Sequence, residues 1–261
     1  MSQTTIILIR HGARHDYANM EMWKRQCERL GLEASDPPLS ALGHAQARQA
    51  ADALVSEDVA AILCSPYLRV IQTAQPLAHR CGLPLSVENG LAEFHHAPKC
   101  IPPPGKRVGC YPEVDDEYTP LHAVTDIAVS ESDGKESVVE YFRRIRRLAC
   151  ELPSMYAGRT VVCYSHAASV ALVAALTSSS LQEAGKFAPC GIWKLVRKSE
   201  GSTWEIQIRG DENTGHITAN DPSTFPWGFA DTRRGLDWHE SQWQESGRLG
   251  PTAANEDGEK L

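Results

Sequence analysis

Three short stretches of this chain put reactive side chains where a local pattern breaks. Arg10 and His11 close an apolar run and precede Gly12; Ser65 to Arg69 follow a second such run, and His166 follows a third. A histidine in such a position can serve as a nucleophile or proton relay, and an arginine can hold anionic oxygens with its planar fork. Each stretch alone is weak. A lone histidine at a strand end is more often an ordinary hydrogen-bonded residue, and Arg69 could be a surface charge. The coincidence of all three is what asks for an explanation.

The elements that carry them point to one edge of a sheet. Ile6 to Ile9 is a run of aliphatic residues that suits a strand buried on both faces, expected to be central. Gly12 would let the backbone turn or approach a neighbour closely. Val59 to Cys64 and Arg159 to Tyr164 are two further buried runs, and a short strand is expected around Pro84 to Glu88. Helices alternate with them: Tyr17 to Leu30 stopped by Gly31, Ala41 to Val55 capped by Ser40, Pro66 to Arg80 with the proline in its first turn, Gly134 to Glu151, and one from His166 to Leu176. Gly191 to Arg197 and Thr203 to Arg209 alternate as an antiparallel edge pair. This order predicts a three-layer α/β/α sandwich with a mostly parallel central sheet, in which ligands collect outside the carboxyl ends of the strands.

The rest of the chain is read by composition. Residues 1–210 form the expected domain, interrupted at 95–133 by a Pro/Gly-rich and acidic insertion or lid in which substrate choice could reside. Residues 211–261 are expected to be an extended or disordered tail whose tryptophans dock on the domain or on a partner. Arg143, Arg144, Arg146 and Arg147 are assigned to a solvated helix face with no catalytic role. A net charge of −7 argues against nucleic acid as a bulk electrostatic partner, though a local cationic pocket is compatible with it. Eight cysteines without metal or disulfide spacing read as free thiols, and no membrane span or leader pattern is seen. A cytoplasmic protein is expected.

Four strings taken together resemble a known family: IRHGAR at 9–14, LSALGHAQA at 39–47, SPYLRVIQTA at 65–74 and SHAAS at 165–169. They look like the histidine phosphatase, or phosphoglycerate-mutase-like, superfamily, over roughly Ile6 to Leu176. Within it the chain is most similar to the phosphatase domain of the suppressors of T-cell receptor signalling, through Arg14, LAEF, VDDEYTP at 114–120 and VSES at 129–132. It departs in lacking their ubiquitin-associated and SH3 domains, in having Ala13 where a glutamate is common, and in its insertion and tail.

The resemblance implies a two-step phosphoryl transfer without metal or other cofactor. His11 would attack phosphorus, its other ring nitrogen held by a backbone carbonyl near Gly12. Arg10, Arg14, Arg69 and His166 would surround the phosphoryl oxygens. Glu93 would be the general acid, although on the residues alone a surface glutamate after a turn is nearly as good a reading. Ser65 could contact substrate or merely cap a helix. His95 and His96 are a tempting pair, but no third ligand stands at metal spacing.

A phosphorylated protein or small phosphate ester is the expected partner, with no nucleic acid or membrane, and a homodimer stays open. The first functional reading is a metal-independent phosphomonoesterase, with phosphotyrosine favoured. A phosphoglycerate mutase or other small-metabolite phosphatase is the second, and FHHAPK at 94–99 offers no clear pocket for a second phosphate. A non-catalytic phospho-ligand module is the third.

Overall fold

Every residue of strand β1 (Thr4–Arg10) is buried, as its unbroken apolar run requires. Its side chains alternate between two cores. Ile6 and Leu8 enter one, and Ile7 and Ile9 the other. A strand that feeds two cores must lie inside a sheet covered on both faces, and β1 does.

The computed structural model describes residues 3–17, 19–94, 111, 113–123, 127, 135–211, 215–219 and 225–248. The other strands are β2 (Val59–Cys64), β3 (Leu85–Val87), β4 (Thr160–Ser165), β5 (Ile192–Arg197) and β6 (Glu205–Ile208). Among the described residues the sheet has six strands in the order β3-β2-β4-β1-β5-β6. β1 pairs in parallel with β4, which pairs in parallel with β2, and β2 with β3; β5 and β6 add an antiparallel edge. The carboxyl ends of the four parallel strands therefore share one edge.

Helices cover both faces. α2 (Ala41–Asp52) and α3 (Leu68–Cys81) contribute Ala51, Val70, Ile71, Ala74 and Leu77 to the core below Ile7 and Ile9. α4 (Val138–Met155) and α5 (Val170–Thr177) pack over Ile6 and Leu8. α1 (Met20–Leu30) ends at Gly31, whose positive φ of 64° is the left-handed cap expected of that glycine. Ser40 caps α2 by accepting from Gly43 N.

Several boundaries differ from the sequence reading. α3 begins at Leu68, with Tyr67 at its N-cap and Pro66 before it. α4 starts at Val138 because Ser137 caps it, and continues to Met155. Arg144 is buried against Glu136 instead of lying on a solvated face. The chain after β4 enters a 3-10 turn at Ala167–Ser169 before α5 begins.

The segment after Asp211 is not extended or disordered throughout. α7 (Gly235–Gly247) lies against α4, and Trp243 is buried beside Phe142 with the Arg146 guanidinium 3.5 Å from its ring centroid. Apolar and cation–π contacts order a sequence that has little helical periodicity of its own. α6 (Leu181–Ala184) closes the same face.

Most of the 95–133 insertion, with His95 and His96, lies outside the described residues. Its described part runs beside β3, where Val114 bridges Leu85. Cys27, Cys64, Cys81, Cys150, Cys163 and Cys190 are free. Among the described residues no helix is long and apolar enough to cross a membrane.

Candidate active site

The loop leaving β1 is built around His11. Its backbone N–H donates to Ser165 O at 3.0 Å, extending the β1–β4 ladder, and its Nδ1 lies 2.8 Å from Gly12 O. A carbonyl can only accept, so the neutral ring carries its proton on Nδ1 and its lone pair on Nε2. The bond to Gly12 orients the ring.

α2 and α3 clamp this loop. A Cβ on Gly12 would stand 2.7 Å from Gly43 O, and one on Gly43 would stand 2.2 Å from Ala13 O. The two glycines allow a backbone-to-backbone contact that no other residue permits. Ala13 N donates to Gln46 Oε1 at 2.9 Å, and Ala13 O accepts from Ser40 N at 2.9 Å. Thr73 Oγ1 accepts from Gly12 N and donates to Arg69 O, at 3.2 and 2.7 Å. The LSALGHAQA and IQTA strings thus act through the backbone around His11.

The cations converge on the same place. Arg10 and Arg69 are buried, and Arg10 Nη1 donates to Phe187 O and Phe225 O at 2.6 and 3.1 Å. Arg69 stacks on Tyr67, and its Nη1 lies 4.0 Å from Asp36 Oδ1. Arg10 Nε and both Nε and Nη1 of Arg69 have no hydrogen-bond partner among the described residues. Burial lowers the pKa of both guanidinium groups, the mark of cations held where an anion would relieve them. Arg14 is half-buried, and Asp16 engages its Nε and Nη2 at 2.9 and 2.5 Å.

His166 completes the group. Its ring is 5.4 Å from that of His11, Nε2 is 2.8 Å from Ser65 Oγ, and Nδ1 is 3.3 Å from Arg69 Nη2 and 3.4 Å from Glu93 Oε2. Ser65 is thereby assigned to the orientation of His166; the cap position of α3 belongs to Tyr67. Arg10, His11, Arg14, Arg69 and Glu93 line one cavity of about 340 Å³, within the range of small-ligand sites, and His166 is buried against them. The His11 pKa is lowered well below 6.5, by burial first and then by Arg69 and Arg10, which keeps the imidazole neutral.

Five of the six residues selected from sequence line this cavity, and the sixth, His166, is buried beside Arg69 and Glu93. The sequence reading passed over Tyr17, Ser35 and Trp227 in the lining, and over Asp16. Asp16 stands two residues from Arg14, a spacing that hints at the pair. Trp227 has no such signal, because an antiparallel bridge to Phe187 brings it in from the distant C-terminal segment.

A mostly parallel sheet with a histidine and buried arginines at its carboxyl edge defines the phosphoglycerate-mutase-like class of α/β proteins. The pattern of the histidine phosphatase superfamily (branch 1) matches residues 6–207, and the chain belongs to that family. Among curated proteins it is similar to mouse ubiquitin-associated and SH3 domain-containing protein B, at 26% identity over 275 residues covering 92% of this chain. The chain spans 41% of the length of that relative. Among solved structures it shares its fold with the ecdysone phosphate phosphatase of Bombix mori in complex with tungstate (20% identity, TM-score 0.60, 86% of this chain and 94% of that one). It shares it also with a mycobacterial glucosyl-3-phosphoglycerate phosphatase (23% identity, TM-score 0.51, 80% of this chain and 99% of that one).

Proposed function

We propose that the protein is a metal-independent phosphomonoesterase that works through a phosphohistidine. The observation that carries this reading is the 2.8 Å contact of His11 Nδ1 with Gly12 O, which leaves Nε2 with the lone pair beside unpartnered guanidinium donors. In the first step the Nε2 lone pair forms a bond to phosphorus as the ester P–O bond breaks, and Glu93 gives its proton to the departing oxygen. In the second, the Glu93 carboxylate takes a proton from water, the water oxygen bonds to phosphorus, and the N–P bond breaks to release phosphate. Arg10, Arg14, Arg69 and His166 hold the phosphoryl oxygens through both steps. Fixed donors of this kind supply most of the rate in phosphoryl transfer.

The substrate proposed first is an aryl phosphate such as phosphotyrosine, a reading that the aromatic faces of Tyr17 and Trp227 in the cavity lining support. The names of the two structural neighbours support small phosphate esters as the alternative. The cytoplasm remains the proposed compartment. Turnover of para-nitrophenyl phosphate, a phosphotyrosine peptide and phosphoglycerates, with and without EDTA, tests the reading. Wild type should hydrolyse the aryl substrates with EDTA present, and His11→Ala should abolish this. Loss of turnover that a divalent metal restores would refute the metal-free mechanism.

A further inference from the structure

Glu93 follows a turn whose backbone is held in an unusual way. The three carbonyls before it each accept a bond from a buried side chain: Arg144 Nη1 donates to Gly90 O at 2.7 Å and Ala92 O at 3.2 Å, and Ser165 Oγ donates to Leu91 O at 2.7 Å. The opposite side of the turn is held by buried Glu88, whose carboxylate accepts from Gly90 N at 2.7 Å, Tyr118 Oη at 3.0 Å and Leu121 N at 2.7 Å. Arg144 is itself fixed, because its Nε and Nη2 donate to the two oxygens of Glu136 at 2.7 Å each.

A buried ion pair is a poor source of stability compared with apolar packing of the same volume. Its use here is geometric. The guanidinium has five donors in one plane; one edge meets Glu136, and the remaining nitrogen reaches two carbonyls of the turn. Arg144 does not itself line the cavity, and its guanidinium lies over the Tyr141 ring, 4.9 Å from the centroid.

We propose that Arg144, set by Glu136, is the positioning residue that aims Glu93 at the leaving-group oxygen. The proposal rests on the reading of Glu93 as proton donor. Displacement of a catalytic group by about 1 Å can cost on the order of a hundredfold in rate, so a clamp one residue away has large leverage. The effect is selective. A phenolate leaves with little protonation, whereas an alkoxide needs the proton, so loss of aim should slow alkyl phosphates far more than aryl ones.

The test compares para-nitrophenyl phosphate with glycerol phosphate for wild type, Glu93→Gln, Arg144→Lys and the double variant Glu136→Gln with Arg144→Gln. The lysine keeps a charge opposite Glu136 but cannot serve the carboxylate and both carbonyls; the double variant leaves no unpaired buried charge. Circular dichroism melts establish that each is folded. The alkyl-to-aryl ratio of kcat should fall about tenfold or more in the double variant, with Arg144→Lys between it and wild type. Placed in a Glu93→Gln background, Arg144→Lys should leave that ratio unchanged. Equal losses on both substrates in folded Arg144 variants, while Glu93→Gln does discriminate, would overturn the proposal and leave the reading of Glu93 intact. If Glu93→Gln itself fails to discriminate, the reading of Glu93 falls and this proposal with it.

Discussion

Ser65 Oγ lies 2.8 Å from His166 Nε2, with both residues fully buried. This contact turns the other ring nitrogen, Nδ1, towards Arg69 and Glu93. The hydroxyl can donate or accept, so it serves the ring in either protonation state. Ser65→Ala would remove this buried hydrogen bond, at a cost of about 0.5–1.5 kcal/mol in stability. Freed of its anchor, His166 should turn away from the phosphoryl group, and kcat/KM for para-nitrophenyl phosphate should drop at least about tenfold. Thermal melts and steady-state kinetics measure the two effects separately; a stability loss with unaltered kinetics would remove Ser65 from the site's function.

The pH dependence follows from His11. Attack needs the neutral imidazole, and its pKa is lowered well below 6.5 by burial and by Arg69 and Arg10. The acid limb assigned to His11 in the kcat/KM profile should therefore lie below pH 6.5, and the nucleophile should stay competent in mildly acidic solution. Arg69→Met removes the largest of the cationic contributions, so the limb should move up in pH. Profiles of wild type and Arg69→Met on one aryl substrate check the direction; a downward move would contradict it.

Gly43 is a contact of backbone with backbone. Since an added Cβ would come within 2.2 Å of Ala13 O, Gly43→Ala must push the Gly12–Ala13 loop aside. Overpacking of this kind costs about 1–3 kcal/mol. The His11–Gly12 bond should be disturbed with it, so activity should fall more than the melting temperature suggests. Kinetics taken well below the melting point separate these effects, and unchanged kcat/KM would show that the loop tolerates the displacement.

Trp243 tests the C-terminal segment. Burial against Phe142 and Arg146 makes α7 part of the core on the α4 face. Trp243→Ala should destabilise the protein by about 3–5 kcal/mol, read from denaturant unfolding, while kcat per folded molecule is unchanged. A loss below about 1 kcal/mol would mean that the segment is dispensable to the fold.

How much of this was legible in advance follows from the range of each interaction. Period, capping and run length are local, so β1, the Ser40 cap of α2, the Gly31 stop and the alternation of strands with helices could be read from residues a few positions apart. Arg144 was misread for the converse reason. Four arginines in one turn look like a solvated face, and only the distant turn at Gly90–Ala92 and the preceding Glu136 make one of them a buried clamp. The C-terminal segment was misread likewise, since α7 owes its order to contacts with α4.

For the site opened by His11, the sequence alone determined which side chains stand at the carboxyl ends of buried strands and therefore share an edge. The tertiary structure decided their geometry: that Gly12 O fixes Nδ1 of His11, that Ser65 serves His166, that Asp16 holds Arg14, and that Trp227 reaches the cavity from the far end of the chain. Strand ends are set by hydrophobic pattern, which acts between near neighbours. Side-chain aim is set by hydrogen bonds between residues far apart in the chain, 101 positions for Ser65 and His166 and 215 for Arg10 and Phe225, and no local pattern encodes them.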